Sequence, residues 1–72
     1  MAVYRLFKNE AFEPEAIATM TGAYADVCRL LGVNDDDHRR STIVAEKVIE
    51  FAQRGARDHI RLRDCVLEAL RA

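Results

Sequence analysis

The chain has little of what marks most specialised small proteins: no tryptophan, one proline, three glycines and two cysteines in 72 residues. Glycine and proline are too few for a low-complexity run or a linker, and the single proline, Pro14, stands where a helix begins. No glycine-rich phosphate loop follows a strand, and no serine or cysteine has a histidine and an acid at recognisable spacing. Charge of one sign is also missing. Eleven basic residues face 12 acidic ones, so no field spreads over a whole face to hold a nucleic-acid backbone. No apolar run approaches the roughly 20 residues that span a bilayer, and MAVYRLFKNE lacks the apolar core of a signal peptide. The expectation is a soluble cytoplasmic protein, without membrane contact, that does not bind nucleic acid.

What is present is ordinary globular composition, 50% hydrophobic and 32% charged. From Glu13 to Leu31, the residues Ile17, Met20, Tyr24, Val27, Cys28 and Leu31 recur at steps of three and four, which at about 100° per residue gathers them on one face. Glu13 and Pro14 suit the start of that helix and Gly32 its end, with Val33 placed for the apolar contact of a Schellman ending. A second stripe holds Val44, Ala45, Val48, Ile49, Phe51 and Ala52, opposite Glu46, Lys47, Glu50, Gln53 and Arg54. Gly55 closes it. Asp58 caps a third helix, whose core face holds Leu62, Cys65, Val66, Ala69 and Leu70. The pattern predicts an all-α fold: an arm over 1–12, then a three-helix bundle over 13–72 with helices at about 14–31, 36–54 and 59–71. VYRLF at 3–7 fits neither a helical nor a strand period and is read as part of the arm.

The most polar stretch is NDDDHRRST at 34–42, where Asp35, Asp37, His38, Arg39 and Arg40 form a candidate polar site. As a calcium loop begun at Asp35 it places Asp37 and Glu46 well, but Arg39 and Arg40 stand where a ligand and a glycine are needed. As a transition-metal site it would recruit His38, His59, Cys28 and Cys65, none of which form a Cys-x-x-Cys or His-x-x-x-His pair. Both cysteines fall on core faces and are expected buried and reduced. Phosphotransfer on His38 is a further alternative, since Asp36 and Asp37 would favour its charged form. The plain reading is a joint that caps the second helix. Two starts stay open: one near Asp36, the other at Ser41 or Thr42 after a loop of about nine residues.

Some apolar residues are left over once each helix has one buried face. Ile43 lies among Lys47, Glu50 and Arg54, while Ile60 and Leu67 share the far edge of the third helix. Ala18, Gly22 and Ala25 make a strip of small side chains on the first helix, where another backbone could approach. With Val3, Tyr4, Leu6 and Phe7 in the arm, they exceed what three helices cover. A domain this short buries only about 60% of its unfolded surface, so a homodimer that completes the core is the expected resolution, with an unidentified protein partner as another.

AFEPEAIATMTGAYADVCRLLG and VAEKVIEFAQRGARDHIRLRDCVLEAL together resemble a group of short bacterial all-helical proteins of unknown function. The likeness spans about residues 11 to 71 and implies a bacterial cytoplasmic origin, with no activity to transfer to any residue. The expected function is a non-catalytic protein-interaction or self-association module, not an enzyme, with no cofactor. Two alternatives remain: a nucleic-acid-binding helix-turn-helix using Arg57, His59, Arg61 and Arg63, and a metal or phosphotransfer site around His38.

Overall fold

The computed structural model describes residues 12–34 and 36–71. Across them the chain forms α1 (Pro14–Leu31), α2 (His38–Gln53) and α3 (His59–Arg71), with no strand among the described residues. The fold is all-α, as the periodicity requires. Val3, Leu6 and Phe7 of the expected arm, and Asp35 of the polar stretch, lie outside the described residues.

The local signals explain where each helix begins and ends. Glu13 is extended at φ −67° and ψ 154° and feeds Pro14, whose ring fixes φ near the helical value. Gly32 stops α1 at φ 69°, a left-handed conformation that crowds a Cβ and favours glycine. The amide of Val33 then donates to the Cys28 carbonyl at 2.8 Å and closes the last turn. Gly55 does the same after α2, at φ 106°, with the Ala56 amide donating to the Phe51 carbonyl at 3.1 Å. Asp58 caps α3, its Oδ2 accepting from the Arg61 amide at 3.0 Å.

Of the two starts the sequence allows for α2, the chain takes one close to the first. Asp37 is the cap, its Oδ1 accepting from the Arg40 amide at 3.1 Å, and α2 therefore runs from 38 to 53 rather than 36 to 54. The connection is a short joint, not a long loop. Arginine at the positive end of a helix is unfavourable, and Arg40 answers this by folding back, its Nε 3.9 Å from Asp37 Oδ2.

Each helix touches the other two, and all contribute to one core. Met20, Val27, Val44, Val48, Leu62 and Val66 are fully enclosed. Ala23 is equally buried although it is no part of the expected stripe, because its small side chain sits where the helices come close. Other expectations need correcting at the edges of the core. Phe12, expected in the arm, packs against the core, and so does Leu67, expected on a spare surface. Leu67 is partly covered because α3 touches both neighbours and buries a wider face than one stripe. Cys28 and Cys65 form no disulfide among the described residues and are only half-buried.

Candidate functional site

The polar joint contains no assembled site among its described residues. Asp37 is committed to the cap and to Arg40; Asp36, His38 and Arg39 are exposed. Among the described residues no group of three or more histidine, cysteine, aspartate or glutamate side chains could hold a metal ion. His38 and His59 play different parts: the first lies on the surface, the second links two helices.

That link is the feature the residue pattern does not reveal. His59 Nε2 lies 2.7 Å from Asp26 Oδ2, joining the start of α3 to α1 across 33 residues of sequence. The imidazole rests over Gly22, where a Cβ would come within 2.8 Å of His59 Cε1. The small-residue strip is thus partly filled by the chain's own histidine, while Ala18 and Ala25 on either side stay exposed. The His59 hydrogen bond, helped by Arg29 at 3.2 Å, holds the Asp26 carboxyl below the ordinary carboxylate range. On α2, Lys47 at 3.1 Å and Arg54 at 3.0 Å likewise lower Glu50.

The basic start of α3 is largely committed within the fold. Besides His59, Arg63 is paired with Asp64 at 3.0 Å, and Arg57 donates to the Ala52 carbonyl while its guanidinium lies 5.3 Å from the Phe12 ring centre. Such stacking fixes the plane of the group. Of the four side chains a base-reading helix would present, only that of Arg61 makes no hydrogen bond or ion pair among the described residues. Arg54, Arg57 and Arg61 instead line a cleft at the α2–α3 corner, with Phe51, Ala56 and Asp58.

The apolar remainder is spread over the three helices. Leu30, Ile43 and Ile60 are 50%, 44% and 57% exposed, one on each helix. Ile43 also stands at a shallow groove of about 210 Å³ lined by Leu31, Val33, Val44 and Leu70, with Arg40 as its one charged member among the described residues. Periodicity does not single out Leu30, because it adjoins Leu31 in a doublet of which only the second packs against the core. Among the described residues no helix is long and apolar enough to cross a membrane. The chain matches no model of a known protein family, no curated protein and no solved structure.

Proposed function

We propose that this chain is a non-catalytic self-association module: a small helical bundle whose core is completed by a second copy, working in a bacterial cytoplasm. The observation that carries the reading is the exposure of one large aliphatic side chain on each helix, Leu30, Ile43 and Ile60, together with a groove that Ile43 lines with Leu31, Val33 and Val44. Single exposed apolar residues are ordinary, but a groove with an isoleucine at its edge offers contiguous apolar area to a partner. A second copy is the favoured occupant because the groove has almost no charge with which to select a different partner, and a net charge of −1 barely repels a like molecule. Two half-buried cysteines outside any disulfide among the described residues are compatible with a reducing compartment.

Light scattering over a roughly hundredfold range of concentration tests this reading by mass action. The wild type is expected to reach the mass of a dimer. Ile43→Asp combined with Ile60→Asp is expected to give a helical monomer, since both side chains are exposed and a carboxylate there meets solvent in the monomer. A wild type that stays monomeric throughout removes the proposal. Leu67 is left intact, because its packing against the core would confound loss of association with loss of folding.

A further inference from the structure

The cleft at the α2–α3 corner takes no part in self-association as proposed, yet it concentrates positive charge in a chain of net charge −1. Its volume of about 400 Å³ is within the range of small-molecule sites. Among the described residues, Arg54, Arg57 and Arg61 face one lining carboxylate, Asp58, which is already accepting from the Arg61 amide.

The three guanidiniums are held differently. Arg57 is stacked on Phe12 and bonded through Nη1 to the Ala52 carbonyl. Arg54 lies 5.5 Å from the Phe51 ring centre and bonds through Nη2 to Glu50 at 3.0 Å. A guanidinium carries five N–H donors, so these contacts orient both groups and leave most of their donors available. The Arg61 side chain is exposed and makes no hydrogen bond or ion pair among the described residues. The positive end of α3 opens at the same corner and reinforces the potential for an anion.

We propose that this cleft binds the phosphate-monoester group of a small ligand, with Arg54 and Arg57 as fixed donors and Arg61 as the arm that closes on it. A phosphate monoester presents three strong acceptor oxygens and close to two negative charges, which suits three guanidinium forks. A lone carboxylate offers two oxygens and one charge, leaving one arginine without an acceptor. Phe51, Ala56 and Cys65 give the cleft an apolar side for the rest of the ligand.

Inorganic phosphate is the probe. The full-length chain, labelled with nitrogen-15, is titrated at neutral pH with sodium phosphate, and separately with sodium chloride at matched ionic strength. Saturable shifts at the Arg54, Arg57 and Arg61 Nε–H signals and the amides of 55–61, absent with chloride, are expected. Arg61→Gln should weaken binding by about fivefold or more, Arg61→Lys by less, and Arg39→Gln on the far end of α2 not at all. Shifts that do not saturate, that chloride reproduces, or that Arg39→Gln reduces equally overturn the proposal. So does a single-stranded oligonucleotide that shifts these signals where inorganic phosphate does not, which would assign the cleft to a phosphodiester backbone. Should Arg61→Gln lose its helical circular dichroism, the wild-type shift map decides: changes confined to this corner support the site, and changes elsewhere overturn it.

Discussion

At Gly22 the side chain that is missing decides what the neighbouring residues can do. Alanine in a helix interior is ordinarily more stable than glycine by about 0.5–1 kcal/mol. Here the added methyl would come within 2.8 Å of His59 Cε1, so the imidazole must swing away and its 2.7 Å bond to Asp26 is lost. Gly22→Ala is therefore expected to give little gain or a net loss in the wild type, and the usual gain of about 0.5–1 kcal/mol once His59 is alanine. Urea midpoints of the four variants read this coupling directly. Acid adds a second expectation. A carboxyl whose folded pKa is depressed contributes stability above its unfolded value and loses it as pH falls through the folded one. Asp26 and Glu50 are both depressed, so stability should fall below about pH 4, and Asp26→Asn should be less stable at neutral pH but flatter in acid. An Asp26→Asn profile parallel to the wild type would remove the assignment. None of this is legible in the sequence, since Asp26 and His59 are 33 positions apart and meet only through the packing of α1 on α3.

At the scale of the helix, the signals are local and mostly readable. Proline, the two left-handed glycines and Asp58 mark termini by chemistry contained within a few residues, and α1 and α3 begin and end where those marks predict. The start of α2 is ambiguous in the sequence because three consecutive aspartates can each cap a helix and the arginines after them oppose all three equally; the bond from the Arg40 amide selects Asp37. Asp37→Ala should cost about 1 kcal/mol by thermal denaturation, whereas Ser41→Ala, outside the cap, should cost little. At the other terminus, Gly55→Ala should cost more than Gly32→Ala. Both have open space for a Cβ, but φ 69° lies near the left-handed well and φ 106° beyond it. Equal costs would mean that the turn after α2 relaxes freely. Burial at the edges of each stripe is less legible than the stripe itself. Ala23 is buried and Leu67 partly so because two neighbours flank each helix, and a single helix's periodicity carries no information about where the second neighbour sits.

The molecule as a whole rests on a small core. Twelve apolar residues are buried among those described, five of them on α1, five on α2 and two on α3. A domain under about 80 residues rarely draws more than about 3–5 kcal/mol from such a core. Leu62 is fully enclosed, and truncation of a buried leucine to alanine costs about 2–5 kcal/mol, so Leu62→Ala is expected to leave the isolated chain largely unfolded at room temperature. Self-association changes that outcome in a measurable way. If the native state is a dimer, mass action makes the melting temperature rise with protein concentration, because only the folded form is bound. The wild type should show such a rise over a roughly hundredfold range, and Leu62→Ala should recover part of its helicity at the concentrated end. Ile43→Asp with Ile60→Asp should abolish the concentration dependence while keeping a cooperative melt, since both side chains are exposed and neither belongs to the buried core cluster. A concentration-independent wild type would place the whole stability in one chain. The exposed isoleucines would then be surface residues without a role in folding, and the groove at Leu31 and Val33 would have no second copy to receive.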